Sequence, residues 1–429
     1  MSQVDEARPL LAALVRSGEG QRQAVAINDF IFMAQDISNA YLVRTDDGDV
    51  LVNTGFMDNA ERTKALLAQA RRGELRTIIL TQAHPDHYGG VPAFREPGSR
   101  IAAGQGFVET CRFYKDLMPF SMPRSRKLWG ATIKRPANPI PPPEIQPDIL
   151  VDRHFVFEQG GRRFELIATP GGETLDAIVV WMPSERVLFT GNLFGPVFLS
   201  MPNLCTIRGD KPRSVVRYLE SLDRVRNLGA DLLITGHGEP IRGAAKIRAD
   251  LDRMYEAVSY VNQATIAGMN AGRDVHTLMR EIMLPDHLRI GEFHGKVSWA
   301  VRTIWEEYAG WFHYDSTTSL YGVPRASVDA DVAELAGGAA RLAARARQHV
   351  DTGRPLQALH LLDIALGAEP GDREALAAKK AALEQLLAAS GGSNLSETMW
   401  LKSEIAAVKE GQGSALDPSR ESVLRTTGP

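Results

Sequence analysis

Short apolar runs bounded by Gly, Pro and charged residues recur through the first 240 or so residues, alternating with stretches of helical periodicity. Residues 39–53 read as a hairpin, in which AYLVRT is followed by a turn at Asp46-Asp47-Gly48-Asp49 and then VLVNTG. RTIILTQ (76–82) is rich in β-branched residues and is predicted to be a buried strand. RIAAG (100–104), FELIAT (164–169), DAIVVWM (176–182), RVLFTG (186–191) and DLLITG (231–236) carry the same signature. Residues 59–72 and 213–227 have helical periodicity, the second clearly amphipathic.

Two regions depart from this alternation. Pro119, Pro123, Pro136, Pro139, Pro141, Pro142, Pro143 and Pro147 fall close together, which predicts no regular structure there. Arg124, Arg126, Lys127, Lys134 and Arg135 make the same segment basic, with Met122 and Trp129 interleaved. It reads equally as a solvated loop and as a substrate-facing lid. After about residue 251 the chain becomes rich in Ala, Leu and Arg and reads as helical. Residues 353–387 form a helix pair broken at Glu369-Pro370-Gly371-Asp372, similar to one tetratricopeptide-like repeat. One such repeat cannot bury its apolar face alone, so it needs neighbouring helices or a second subunit. The Gly/Ser-rich stretch after Glu410 is expected to be disordered.

Composition adds mainly exclusions. With 429 residues, 44% of them hydrophobic and 24% charged, the chain holds enough apolar material for two or three cores. A net charge of −3 gives no global attraction to nucleic acid or an anionic membrane. No run approaches the roughly 18 apolar residues of a membrane span, and residues 1–23 lack the apolar core of a leader peptide. The expectation is a cytoplasmic soluble protein that binds neither nucleic acid nor membrane. Cys111 and Cys205 are too few for a disulfide scaffold or a Cys-x-x-Cys zinc site and read as buried free thiols.

The chemistry concentrates at strand ends. Gln82-Ala83-His84-Pro85-Asp86-His87-Tyr88-Gly89-Gly90 directly follows the 76–82 run. His84 and His87 supply imidazole nitrogens and Asp86 an oxygen, a mixed set that zinc or iron accepts. Singly, two histidines three apart often only start a helix. The same pattern of apolar run, glycine and polar residue recurs, however, at Glu173 (after Thr169-Pro170-Gly171-Gly172), at Asn192 (after Thr190-Gly191) and at His237 (in Thr235-Gly236-His237-Gly238). Each alone reads as a turn former or cap; together they point to one shared site. His154, His276, His287, His294, His313, His349 and His360 lack such context and read as packing or surface residues.

The order of these motifs resembles the metallo-β-lactamase superfamily: an HxHxDH-type motif, a Thr-Pro-Gly loop, a Thr-Gly-Asp-type loop and a Gly-His-Gly, with Asn53-Thr54-Gly55 similar to its early Asp-Thr-Gly. The resemblance narrows to the alkylsulfatases. Glu173 stands where they carry Glu, Cys205-Thr206-Ile207-Arg208-Gly209 is similar to their Leu-Arg-Gly segment, and Tyr308-Ala309-Gly310-Trp311-Phe312 is similar to their helical dimerisation region. It implies an α/β fold, a metallo-β-lactamase αβ/βα sandwich, followed by an all-α dimerisation domain. The corresponding division is 1–270 catalytic, 271–412 helical and 413–429 tail.

The resemblance also implies ligand sets: Gln82, His84 and Glu173 for one metal, and Asp86, His87 and His237 for the other. Gln82 replaces a histidine and is a weak neutral ligand; Gly191 falls at the place of a bridging Glu, with Asn192 as a weak ligand beside it. One or two zinc ions are implied, with iron or manganese as alternatives. Asp86 and Arg208 are the catalytic candidates, and Arg208, Asn192 and Trp129 the candidates for contacting an anionic ester. Phe120, Met122, Trp129, Phe194, Phe198 and Met201 read equally as an alkyl pocket and as core. The implied activity is metal-dependent hydrolysis of an anionic ester by a homodimer. A lactonase, phosphoesterase, thioesterase or iron-dependent oxygenase on the same fold, or a metal-poor protein acting through its helical half, are the other readings.

Overall fold

The structure is a computed structural model that describes residues 10–411 and 413; the tail expected at 413–429 lies, but for residue 413, outside the described residues. Among the described residues, thirteen strands form two sheets. The first contains β1 (Val25–Ala26), β2 (Ile31–Ala34), β3 (Ala40–Thr45), β4 (Gly48–Val52), β5 (Leu75–Leu80), β6 (Arg100–Gly104) and β7 (Ile149–Val151), adjacent in sequence order. The second contains β8 (His154–Gln159), β9 (Arg162–Ala168), β10 (Ile178–Met182), β11 (Val187–Gly191), β12 (Leu232–Thr235) and β13 (Ile241–Arg242). Both are mixed: β1 to β4 run antiparallel and β4 to β7 parallel, while the second sheet is antiparallel except for the β11–β12 pair.

The continuous apolar runs are explained by burial on both faces. Successive strand residues point to opposite sides. Tyr41, Val43, Val50, Val52 and Ile79 meet Ile178, Val180, Phe189 and Ile234 in a core between the sheets. The intervening Leu42, Leu51, Ile78 and Leu80 pack outward under helices of the first layer, and Val179, Trp181, Leu188 and Leu233 do the same in the last. The expected hairpin forms with a two-residue loop, because Thr45 pairs directly with Gly48, whose φ of +78° glycine tolerates.

The proline-rich segment is only partly as expected. Residues 131–147 are irregular, but Met118–Trp129 is a helix containing both Pro119 and Pro123. Pro119 sits in the first turn, where an N–H would have no intrahelical acceptor, so proline is tolerated there. Pro123 forgoes one interior bond. Of the candidate alkyl contacts, Phe194 and Met201 are core residues, whereas Phe120 is 58% exposed.

The described residues divide into two compact units between Tyr308 and Ala309. This falls later than the expected boundary after residue 270. The helices Val275–Glu281 and Val297–Ala309 place Leu278, Val297, Ala300, Val301 and Ile304 in the core on the outer face of the second sheet. The second unit is all helical, with Ala339–Asp351, Pro355–Ala368, Arg373–Ala389 and Leu395–Lys409 as its long elements. Its contacts are built on small residues, among them Ala343, Ala346, Ala358, Ala365, Ala378 and Ala382. The predicted helix pair is therefore covered by neighbours in its own chain. No helix of the described residues is long and apolar enough to cross a membrane. Both cysteines are free and only half-buried.

Candidate metal centre

The functional side chains come from the carboxyl ends of parallel strands in both sheets, where backbone groups leave the ladder and turns begin. β4 leads to Asn53, β5 to Thr81 and Gln82, β11 to Asn192 and β12 to His237. The two ends are tied together: Ile178 N–H donates to the Thr81 carbonyl at 2.9 Å, and Asn39 N–H donates to the Gly236 carbonyl at 2.7 Å. After β5 the chain makes one short helical turn, Pro85–Tyr88, with Pro85 where no N–H is needed. Ser38 Oγ donates to the Asp86 carbonyl and Thr54 N–H to the His87 carbonyl, so both ends of that turn are fixed. Gly236 makes the close approach possible, because a Cβ there would lie 2.2 Å from Asn192 Oδ1 and 3.0 Å from His87 Cε1.

Asp86, His87 and His237 converge, with one ligand atom from each lying within 4.8 Å of the others. Asp86 Oδ2 is 3.7 Å from His87 Nε2 and 4.0 Å from His237 Nε2. His87 Nε2 is buried and has no hydrogen-bond partner. Burial, with the nearby charge of His84, pushes the His87 imidazole down to about 3, and burial outweighs Asp86 to push His237 down to about 4. Both rings stay neutral at physiological pH and keep a lone pair. An uncommitted buried imidazole nitrogen facing a carboxylate and a second neutral imidazole fits a divalent cation such as zinc.

The other expected set also assembles, in a different state. Gln82 Nε2 lies 2.8 Å from His84 Nδ1 and donates to Glu173 Oε2 at 3.1 Å; Asn192 Nδ2 donates to the same oxygen at 2.6 Å. Asn192 Nδ2 also lies 3.1 Å from His237 Nε2. Burial works against the Glu173 charge, but His294 and His84 hold its carboxyl well below the ordinary range. Burial likewise opposes charge on His84, and Glu173 outweighs it, lifting the imidazole above its usual value. Gly191 contributes backbone only, at φ +51°, and it is Asn192 that reaches the centre.

Beside this cluster, Tyr114 Oη lies 2.9 Å from His84 Nε2 and donates to the Asp210 carboxylate at 3.2 Å. Asp210 in turn faces Arg208 and Arg213, each at 3.7 Å. A narrow cleft opens here, lined by Phe113, Tyr114, Glu173, Leu175, Asp210 and Arg213. Arg208, expected to contact substrate, is half-buried and is joined to the cleft through Asp210. Trp129 ends its helix half-buried, and no hydrogen bond or ring contact joins it to the cluster.

Tyr114, Asp210, Arg213 and His294 were not foreseen in the site. His294, read from sequence as packing or surface, is buried with Nε2 3.6 Å from Glu173 Oε1. It arrives from a loop far along the chain without a strand end before it, so the pattern that found His237 could not find it. Asp210 and Arg213 lie within five residues of Arg208, and their proximity to a candidate anion contact was the available signal.

A two-sheet sandwich with a histidine–aspartate cluster at its strand ends is the arrangement of the metallo-β-lactamase fold. Residues 33–237 match the metallo-beta-lactamase superfamily and residues 275–403 match the alkyl sulfatase dimerisation family. The chain thus carries a metallo-β-lactamase domain followed by an alkyl sulfatase dimerisation domain. It is similar to a linear primary-alkylsulfatase of a Pseudomonas species, 28% identical over 325 residues, covering 69% of this chain and 60% of that protein. It is also similar to an alkyl/aryl-sulfatase of Saccharomyces cerevisiae, 24% identical over 392 residues, covering 84% and 60%. The chain spans about 60% of the length of these relatives. Among solved structures, a stereoselective inverting sec-alkylsulfatase from Pseudomonas shares the fold, with a TM-score of 0.81 at 22% identity over 92% of this chain and 68% of that one.

Proposed function

We propose that this chain is a metal-dependent hydrolase of alkyl sulfate esters that works as a homodimer. The observation that carries the proposal is the convergence of Asp86, His87 and His237 around an uncommitted imidazole nitrogen, with Arg208 paired to Asp210 in the neighbouring cleft. The names of its relatives support the sulfate ester, and the match to a dimerisation family supports the second copy.

Asp86, His87 and His237 would hold the ion, zinc being the metal their mixed nitrogen and oxygen set suits best. A divalent ion there supplies Lewis acidity, lowering the pKa of water and offsetting charge on the ester oxygens. The remaining work falls to the chain. Arg208 binds the sulfate through its guanidinium, whose planar fork matches two oxygens at once. Arg213, buried and shared with Asp210, offsets carboxylate charge in the cleft. Phe113 and Leu175 give the cleft an apolar side suited to an alkyl chain. Tyr114 and Asp210 orient His84 through its Nε2. Overall, water adds across the ester linkage and an alcohol and hydrogensulfate leave.

The test is turnover of a panel of alkyl sulfate, alkyl phosphate, lactone and thioester substrates by the metal-loaded protein. Release of inorganic sulfate from the alkyl sulfate, at a kcat/KM at least tenfold above the rest, is expected. Loaded protein that turns over the lactone or phosphate in preference would overturn the assignment.

A further inference from the structure

The two groups of donors at the centre differ in what already occupies them. His87 Nε2 has no partner. The atoms that would face a second cation, His84 Nδ1 and Glu173 Oε2, are both engaged by an amide nitrogen: Gln82 Nε2 sits 2.8 Å from the first and 3.1 Å from the second. Asn192 Nδ2 reaches Glu173 Oε2 as well, at 2.6 Å. The Asn192 amide has room for this orientation because Gly236 has no Cβ to meet its Oδ1.

We infer that this chain holds one cation, at Asp86, His87 and His237, and that the amide N–H groups of Gln82 and Asn192 take the place of a second one at His84 and Glu173. The inference rests on the reading of the protein as a metal-dependent hydrolase. Its physical basis is the bookkeeping of a buried carboxylate. Glu173 has only 9% of its surface exposed and must be satisfied by a cation or by hydrogen bonds. Here two amide N–H donors meet Oε2, with His84 Nδ1 3.3 Å from the same oxygen and His294 Nε2 3.6 Å from Oε1, and charge-assisted bonds are about twice as strong as neutral ones. A second divalent ion would have to break both amide contacts. In return it would find one carboxylate, one imidazole and at most the neutral oxygen of Gln82, with no carboxylate at residue 192 to share between two ions. At His87 the first site breaks no hydrogen bond of Nε2 and costs only the contact of Nδ1 with the neutral Asn53 amide. At His237 it replaces the contact with Asn192 Nδ2 and leaves that amide bound to Glu173.

The experiment is elemental analysis of the full chain after incubation with excess zinc and desalting, alongside the Gln82→His/Asn192→Glu double variant. One zinc per wild-type chain and two per variant chain are expected. Two zinc ions in the wild type, one of them lost in His84→Ala, would overturn the inference and leave the hydrolase reading standing. A double variant that stays at one ion would also overturn it. Folded wild-type protein that retains no zinc would sink the hydrolase reading itself. Should the double variant fail to fold, the wild type loaded with manganese decides the matter by electron paramagnetic resonance. An uncoupled single-ion spectrum is expected, and the exchange-coupled spectrum of a manganese pair would refute the inference.

Discussion

Replacing Asn53 by Asp is expected to tighten metal binding. Asn53 lies directly behind His87, with Nδ2 3.0 Å from His87 Nδ1. Its orientation is fixed by a group that can only donate: the Thr81 backbone N–H bonds to Asn53 Oδ1 at 3.0 Å, and Thr81 Oγ reaches the same oxygen at 3.0 Å. The amide nitrogen is therefore turned to His87 and favours a lone pair on Nδ1, which leaves the proton on Nε2, the nitrogen facing Asp86 and His237. Coordination needs the opposite tautomer. The Nδ1–H would then meet an N–H, and its nearest acceptor is Thr81 Oγ at 3.3 Å. An aspartate accepts from all three donors at once. It also tolerates the backbone, since Asn53 has φ +59° and Asp visits that region almost as readily as Asn. Partners of this kind behind a ligand are worth about 10–100-fold in affinity, or about 1.4–2.7 kcal/mol. Asn53→Asp should lower the zinc dissociation constant by that factor in a competition titration against a chromophoric chelator, with the melting temperature as a check on folding. An unchanged or higher dissociation constant in folded protein would refute the argument.

Other outcomes follow from the same geometry. Gly236→Ala drives a Cβ into Asn192 and His87, so zinc content after desalting should fall several-fold while the circular dichroism spectrum is retained. Arg208→Ala should raise KM for an alkyl sulfate at least tenfold, and Arg208→Lys should recover only part of it because lysine cannot bind two oxygens in a fork; equal recovery by lysine would contradict the assigned contact. Phe164→Ala empties a fully buried ring position between the sheets and should cost about 3–5 kcal/mol in denaturant unfolding. Glu96 accepts hydrogen bonds from Arg71 and from Leu75 N–H, and Arg71 first of all holds its carboxyl below the ordinary range. A depressed carboxyl stabilises the fold above its unfolded value of about 4.3 and loses that contribution as pH falls below it. Glu96→Gln should therefore lower stability at pH 7 and flatten the stability profile between about pH 5 and 3, as read by urea titrations across that range.

What could be read in the chain alone was whatever repeats locally. Strands buried on both faces announce themselves as unbroken apolar runs, so β5, β10 and β11 are visible without a structure. The polar residue just past each run marks the centre, which is how His84, His237 and Glu173 stood out. The family resemblance then supplied the order in which distant segments meet. What stayed hidden depends on three-dimensional context. Pro119 and Pro123 signal broken structure, yet one is harmless in a first turn and the other is carried by the rest of its helix. His294 reaches Glu173 from a loop whose surroundings resemble any packing histidine. The boundary between the units follows burial rather than composition, because two helices past residue 270 cover the second sheet. Gln82 and Asn192 were legible as weak ligands; that their amide nitrogens both bond one carboxylate was not.

The most direct measurement is release of inorganic sulfate from a linear alkyl sulfate by the purified chain before chelation, after removal of metal, and after zinc is restored. The melting temperature is followed throughout to confirm that the fold persists. Activity that vanishes with the metal and returns with it is the expected result. Undiminished turnover by metal-free, folded protein would contradict the account.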